Sequence, residues 1–291
     1  MKRAVAAVVV VLCGGPVAIS QTVEIEKKPP AVIVKNAAGN IAASIAIGKG
    51  DRVVSTVGSL DNRFLFLAVR KHGGAGALNV VDLQAGTAIS RALVNHPTRL
   101  LRLGPKQELW VLGDAMRSIS ENGKVGDPIP LRFEGGGFAW GQLIAVGADR
   151  AAISLTNLGA KTLYRVALID LKQRRVDGVV QTRSAGQKAE LGGSHFGKDI
   201  LKGLATAGTA TVHTTYFDYY LAARPDGRFV YAVDFGTHEV TAIDVPTTTK
   251  ATTIKLDKSA SKAQVSPDGK ELICTGKQVQ KIDLASNRME N

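Results

Sequence analysis

The chain has 291 residues, of which 45% are hydrophobic, and its 37 Lys and Arg against 25 Asp and Glu give a formal net charge of +12. This apolar content excludes a disordered chain, and two cysteines are too few for a small disulfide-stapled fold. No apolar run reaches the roughly 18 to 20 residues that a membrane-spanning helix needs, which excludes a multi-pass helical membrane protein. A globular chain long enough to bury a large core remains.

The N-terminus has the pattern of a cleaved export signal. Lys2 and Arg3 precede the apolar run Ala4–Leu12, and small residues stand at the positions that a signal peptidase reads before a cut after Ser20. We therefore expect residues 1–20 to be a signal peptide. The mature protein is then extracytoplasmic, which means periplasmic, secreted or held at the cell surface.

Removal of this signal leaves residues 21–291, which we expect to form a single domain with one thiol. Cys13 leaves with the signal, and its alternative role as a lipid anchor is disfavoured because Leu12 stands where a small residue is required. Cys274 lies within the apolar, strand-like run 271–275. We predict that Cys274 is a buried structural thiol and not a nucleophile.

A turn followed by a β-prone run recurs at intervals of about forty residues. The clearest copies are Pro-Asp-Gly turns at Asp226 and Asp268, and weaker copies stand near Asp61, Gly104 and Asp149. Asp-Gly supplies the positive φ that tight hairpins need, and the Val, Ile, Phe and Tyr that follow favour strands. The period therefore predicts a repeating hairpin unit.

A second landmark follows these turns at the same period: an apolar residue, an Asp and a further apolar residue, with another apolar residue before them in every copy but the last. Its aspartates are Asp82, Asp170, Asp244 and Asp283. A short acidic side chain at the end of a strand can accept backbone N–H groups of the next turn, so we predict that each Asp caps the turn after its strand. A catalytic acid repeated in unit after unit is the disfavoured alternative.

Four strands in each repeat predict an all-β protein of the β-propeller class. One four-stranded unit cannot bury both of its faces, and radial stacking of units covers those faces while leaving only short edges. Counting the landmarks gives six or seven four-stranded blades, and we favour seven. The irregular segment 184–220 is either a degenerate blade or an insertion. In a ring of six, Asn40–Ile47 would supply the strand that the C-terminal unit lacks.

The stretch Arg224–Leu256 resembles the YVTN-type propeller repeat. It contains a Pro-Asp-Gly turn, a Val-Tyr strand, an Ala-Ile-Asp strand and a Thr-Ile strand in the order of that repeat, although Val230–Val233 reads Val-Tyr-Ala-Val where the family has its YVTN letters. The resemblance is good over 221–285, fair over 59–183 and poor elsewhere. It implies a seven-bladed extracytoplasmic propeller whose family shares no catalytic residues.

Metal-ligand, nucleophile-elbow and phosphate-loop patterns are all incomplete in this sequence. We therefore expect no catalytic residue and no cofactor. A metal site at a propeller channel takes carboxylates and other polar ligands from several blades. Candidate ligands of these types lie in and after the irregular segment. These candidates are His195, Asp199, His213, Asp218 and Asp234.

Together these patterns predict an exported, non-enzymatic β-propeller that acts as a binding or protein-interaction scaffold. Its partner would be a protein or an envelope polymer, and an anionic surface fits the positive charge. We expect no nucleic-acid partner, because the cations are scattered along an exported chain, and we expect a monomer. The alternative function is a metal-dependent propeller enzyme of lactonase or hydrolase type, with its site at the central channel.

Overall fold

The computed structural model describes residues 5–12, 19–27, 30–35, 40–104, 106–131, 138–157, 164–182, 219–234, 237–276 and 278–290. These residues form 24 strands, which pair into six antiparallel four-stranded sheets. The chain divides into two compact units, Met1–Arg132 and Phe133–Asn291. The prediction of an all-β chain built from four-stranded sheets is confirmed. Within the described ranges, no helix has the length and apolar character to cross a bilayer.

The first unit contains three sheets in which neighbouring strands are consecutive in the chain. They comprise β1 (Val5–Leu12), β2 (Ile19–Lys27), β3 (Pro30–Lys35) and β4 (Ile41–Ala46); β5 (Arg52–Gly58), β6 (Phe64–Arg70), β7 (Gly76–Asp82) and β8 (Thr87–Ala92); and β9 (Arg99–Leu103), β10 (Glu108–Leu112), β11 (Ala115–Ile119) and β12 (Val125–Pro130). Each sheet is therefore an up-and-down meander.

In the second unit, the described residues form three further meandering sheets. They comprise β13 (Phe138–Val146), β14 (Arg150–Asn157), β15 (Tyr164–Asp170) and β16 (Arg175–Gln181); β17 (Tyr219–Ala223), β18 (Phe229–Asp234), β19 (Glu239–Asp244) and β20 (Thr249–Lys255); and β21 (Ala260–Val265), β22 (Glu271–Gly276), β23 (Val279–Asp283) and β24 (Arg288–Met289).

Strand β6 shows why the middle strands of these sheets are apolar along their whole length. Successive side chains of a strand point to opposite faces of the sheet. Leu65 packs in a cluster with Val32 of the first sheet, whereas Phe66 packs in a cluster with Leu109 of the third sheet. Both faces of β6 are therefore buried, while all six residues of the outer strand β8 are exposed.

Arginine side chains tie neighbouring sheets together within each unit. In the first unit, Arg102 of β9 donates from Nη2 to the carbonyl oxygen of Gly58 at the end of β5 (2.6 Å) and pairs with Glu121 (2.7 Å). In the second unit, Arg150 of β14 donates from Nη1 to the carbonyl oxygen of Val245 after β19 (2.9 Å). Some of the cations that the sequence scatters therefore hold the sheets together.

The predicted capping role of the repeated aspartates is confirmed. Oδ1 of Asp82 accepts the backbone N–H groups of Gln84 and Ala85, each at 3.0 Å. The same acceptor role toward the N–H group three residues later belongs to Asp170, Asp244 and Asp283. The bond from the Ala85 N–H group lowers the pKa of Asp82, as bonds from Ser286 lower that of Asp283. These carboxylates are turn caps.

The hairpin turns at the start of the repeat share a second geometry. The Ser59 hydroxyl donates to Oδ1 of Asp61 (2.5 Å) and accepts the N–H of Phe64 (2.8 Å). Ser266 makes the same two bonds, to Oδ1 of Asp268 (2.6 Å) and from the N–H of Glu271 (2.9 Å). The internal repeat in sequence is therefore also a repeat in hydrogen bonding.

One predicted strand exchange is wrong. Ile41–Ala46 pairs with Pro30–Lys35 in its own sheet, and the fourth strand of the C-terminal sheet is Arg288–Met289. Two residues after the Asp283 turn suffice for this short strand, so Asn40–Ile47 is not required there. Of the predicted irregular segment 184–220, residues 184–218 lie outside the described residues, and the preference for seven blades over six stays a prediction.

Candidate functional site

A cleft of about 370 Å³ lies in the first unit, between the connector 93–98 and the strands β11 and β12. The connector joins the second sheet to the third and forms one wall. The far side is formed by the outer two strands of the third sheet. The residues that give this connector cleft its chemistry are Leu93, Asn95, Asp114, Arg117, Pro128 and Pro130.

Backbone hydrogen bonds hold the connector wall to both sheets. The Leu93 N–H donates to the carbonyl oxygen of Gly76 at the start of β7 (3.1 Å). The Asp114 N–H, in the turn between β10 and β11, donates to the carbonyl oxygen of Asn95 (3.0 Å). These bonds on both sides hold the connector in place as a wall of the cleft.

Two glycines let the connector approach this closely. A Cβ atom on Gly76 would lie 2.0 Å from the carbonyl oxygen of Val94, and one on Gly113 would lie 2.4 Å from Cγ2 of Val94 and 2.6 Å from the carbonyl oxygen of Asn95. No side chain fits in these spaces without moving backbone, so glycine is required at both positions. The wall of the cleft therefore depends on residues that lack side chains.

The floor of the cleft is one face of the β11–β12 ladder. Ala115 pairs with Pro130 and Arg117 pairs with Pro128, so these alternate residues share a face of the sheet. Both prolines are exposed on the outer strand. They remove two backbone donors from that edge and present aliphatic rings in their place. The floor thus presents two aliphatic rings beside one guanidinium.

The cleft lining contains one cation and one anion, Arg117 and Asp114. Arg117 is half-buried, and its Nη1 donates to the carbonyl oxygen of Gly126 (2.9 Å), which orients the guanidinium. Oδ2 of the exposed Asp114 accepts a bond from Nδ2 of Asn95 (3.1 Å). A guanidinium has five N–H donors, so donors remain for an anionic group in the cleft. The arrangement can bind and orient a ligand.

Of the five metal ligands predicted from the sequence, Asp234 alone belongs to the residues that the structure describes. His195, Asp199, His213 and Asp218 lie outside the described residues. Asp234 ends β18 with 3% of its surface exposed, and its Oδ1 accepts the Thr237 N–H (3.1 Å). Among the residues that the structure describes, no group of three or more His, Cys, Asp or Glu is arranged to hold a metal ion.

The prediction of a buried structural thiol at Cys274 is confirmed. Its side chain is fully buried in β22, in a core cluster with Leu272 and Ile282. Burial raises the pKa of the thiol to about 12, because the thiolate would lose its hydration. At neutral pH the group is a protonated thiol that packs as a small apolar side chain.

Sequence reasoning missed the cleft residues. Asn95, Asp114 and Arg117 belong to three different segments, a connector, a turn and a strand, and no spacing in the sequence links them. A partial signal was present in Pro128 and Pro130, since alternating prolines in a strand indicate an outer edge. That signal predicts the strand edge that forms the floor of the cleft, but it does not predict that the connector forms the wall.

The chain is similar in fold to solved β-propeller structures. One is dihydro-heme d1 dehydrogenase NirN in complex with DHE, with a TM-score of 0.56 and 13% sequence identity over 93% of this chain and 54% of that chain. Another is hydrazine synthase of Kuenenia stuttgartiensis, with a TM-score of 0.42 and 14% identity over 90% of this chain and 92% of that one.

At 13% identity, the likeness to NirN concerns the fold alone. This chain spans about half the length of the NirN chain that it matches. No protein-family model matches the sequence, and a search of curated proteins finds no relative. The six four-stranded meanders and the similarity to NirN place this chain in the β-propeller class.

Proposed function

We propose that this chain is an exported propeller of the YVTN type that acts as a non-enzymatic, monomeric binding scaffold for a protein or an envelope polymer. The observation that carries the proposal is the connector cleft. It is a cleft with a hydrogen-bonded wall, one cation, one anion and two proline rings on its floor. Function in propellers belongs to such individual sites, because the fold itself serves many activities.

The use of the repeated carboxylates supports a binding role. Asp61, Asp82, Asp268 and Asp283 have lowered pKa values because hydroxyl and N–H groups of their own turns donate to them. These acids remain ionised at neutral pH and serve the hairpins. Polar residues that do not cap a turn are then available to a partner.

The partner of a scaffold can be identified by cross-linking from the cleft. A photoreactive amino acid replaces exposed Asn95 at the cleft wall, and the matched control replaces exposed Lys250 on β20. We expect irradiation in the source organism to link one discrete protein or polymer at position 95 and not at position 250. Identical products at both positions, or no product at position 95, contradict the proposal.

A turnover assay tests the alternative of a metal-dependent lactonase or hydrolase. The purified protein is incubated with lactone, ester and phosphoester substrates, with EDTA or with added Ca²⁺, Mg²⁺, Zn²⁺ or Mn²⁺. We expect rates at the background of buffer in every case. A metal-dependent rate that falls in an Asp234→Asn variant would contradict the scaffold function and support the metal-dependent enzyme.

An anionic partner surface is the part of the proposal that rests on charge. Lys172 and Arg175 are exposed around the turn between β15 and β16. We expect salt-sensitive binding to vesicles with anionic lipids that weakens more in Lys172→Gln/Arg175→Gln than in the control Lys250→Gln/Lys255→Gln, which removes the same charge from β20. Equal weakening in both variants, measured by vesicle sedimentation, contradicts a defined anionic surface.

A further inference from the structure

We infer that the connector cleft binds the α-carboxylate of a chain terminus whose last side chain is apolar, which rests on the proposed scaffold function. The shared chemistry is a carboxylate next to a small apolar group. It can come from the C-terminus of a partner protein or from a free amino acid, and the structure favours the C-terminus of a protein.

The guanidinium of Arg117 supplies the recognition of the carboxylate. Its Nη1 is held by the Gly126 carbonyl oxygen at 2.9 Å, so the planar group is oriented before a ligand arrives. A carboxylate matches the parallel donors of a guanidinium, and such charge-assisted bonds are stronger than neutral ones. A ligand with a carboxamide in place of the carboxylate loses the charge and one acceptor.

Asp114 limits the ligand to a single negative charge. Its exposed carboxylate lies at the same cleft and is bonded through Oδ2 to Nδ2 of Asn95 at 3.1 Å. A second anionic group on the ligand would be repelled there, whereas a backbone N–H next to the terminal residue would find an acceptor. This distribution of charge fits a peptide end better than a dianion such as phosphate.

Pro128 and Pro130 determine how the rest of the ligand lies. Their rings form an apolar floor for the terminal side chain, and neither residue has an N–H group for a further strand. A peptide therefore cannot add along β12 by a full set of backbone hydrogen bonds. Because both prolines, Asn95 and Asp114 are exposed, the cleft is open on this side, and a longer chain can leave it.

The volume of the cleft is sufficient for the terminal residue of a peptide. At about 370 Å³ it is near the lower end of the roughly 300 to 1,000 Å³ that small-ligand sites occupy. The connector fixed by Gly76 and Gly113 forms a preformed wall, which reduces the ordering that binding requires.

The test is isothermal titration calorimetry with acetyl-Gly-Gly-Leu as the free acid, its C-terminal amide, and free L-leucine. We expect the acid to bind the full-length protein about tenfold or more tightly than the amide, because a charged hydrogen bond is lost. In Arg117→Gln that ratio falls to about one. In the control Arg91→Gln, which removes one exposed cation from β8, the ratio is unchanged.

Binding of the peptide acid tighter than that of free leucine assigns the site to a protein C-terminus, and the reverse order assigns it to a free amino acid. Equal affinity for acid and amide, or no heat from either at about 5 mM, overturns the inference. If circular dichroism shows that Arg117→Gln does not fold, the inference is judged from the ratio of acid to amide affinity in the unaltered protein alone. A cross-link at position 95 that persists when this ratio is one leaves the scaffold function standing.

Discussion

Aspartate side chains at the turns connect the chemistry of single residues to the stability of the hairpins. Asp61 and Asp268 each accept a hydroxyl from a serine two residues earlier, and each also accepts the N–H two residues later. The serine hydroxyl contributes most to lowering the pKa of both carboxyls. An ionised carboxylate is the better acceptor, so folding and ionisation favour each other.

Acid should therefore destabilise the protein in a defined pH range. A folded-state pKa below the ordinary value of 3.8 means that the unfolded chain binds more protons near that pH. The stabilisation is complete above about pH 5, and we expect it to be lost as the pH falls from about 4 toward 2. Urea unfolding at a series of pH values measures it.

The matched variants are Asp61→Asn and Asp268→Asn, which keep a carbonyl acceptor but cannot titrate. We expect a shallower loss of unfolding free energy below pH 4 in each variant than in the parent protein. A parent profile that is flat from pH 5 to pH 3, or variants with the parent's slope, would contradict the link between these turns and acid sensitivity.

Cys274 gives a second prediction for a single side chain. A fully buried thiol with a pKa of about 12 has almost no thiolate at pH 8 and no path for a reagent. In the mature chain, we expect no reaction with Ellman's reagent in native buffer and one thiol per chain in 6 M guanidinium chloride. Rapid labelling of native protein would show that Cys274 is accessible.

The meandering sheets depend on their hairpins, and two turns of the second unit come into backbone contact. A Cβ atom on Gly227, where φ is +70°, would lie 2.9 Å from the Cα of Gly147 and 3.1 Å from its nitrogen. Gly147, with a φ of +58°, follows β13 in the equivalent turn of the preceding sheet. Glycine is thus needed at 227 both for its backbone conformation and for the close approach.

Alanine substitution separates these two requirements. Gly73 has a φ of +97° and no atom within 4 Å of its would-be Cβ, so Gly73→Ala should cost only the conformational part, about 1 kcal/mol. Gly227→Ala adds overpacking against backbone, about 1 to 3 kcal/mol more. Urea denaturation of both variants measures the difference. Equal losses would mean that the two turns separate freely.

The N-terminal sheet raises a question that concerns the entire chain. Val5–Leu12 pairs with Ile19–Lys27 as β1 and β2, and β1 lies inside the predicted signal peptide. Cleavage after Ser20 would remove β1 and the first two residues of β2, which would leave the first sheet with three strands. The predicted export signal therefore implies a mature protein without β1, whereas the observed strand pairing uses β1 in the first sheet.

Mass spectrometry of the exported protein decides between them. We expect a mature N-terminus at Gln21 after expression in a host with a signal peptidase, because the leader has the charge, length and small residues of a cleaved signal. Purified 21–291 should then unfold cooperatively on heating. A mature protein that retains Val5–Leu12, together with precipitation of 21–291, would favour β1 as a structural strand.

Strand and turn positions were predictable from the sequence because their causes are local. Asp82 and Asp268 accept hydrogen bonds from N–H groups within three residues of them. The apolar side chains of a β-prone run such as Phe64–Arg70 predict that the strand is buried. A repeated unit of this kind needs neighbours to cover its faces, which is why the pattern also indicates the propeller class.

The tertiary structure determines the connector cleft and the sheet to which Ile41–Ala46 belongs. Asn95, Asp114 and Arg117 line one cleft only because the connector folds back onto the next sheet, past glycines that leave it room. Ile41–Ala46 pairs with the neighbouring Pro30–Lys35, because a hairpin between adjacent segments closes a shorter loop than one that spans the chain. Contacts between segments distant in sequence leave no period in it, so only their meeting in space reveals them.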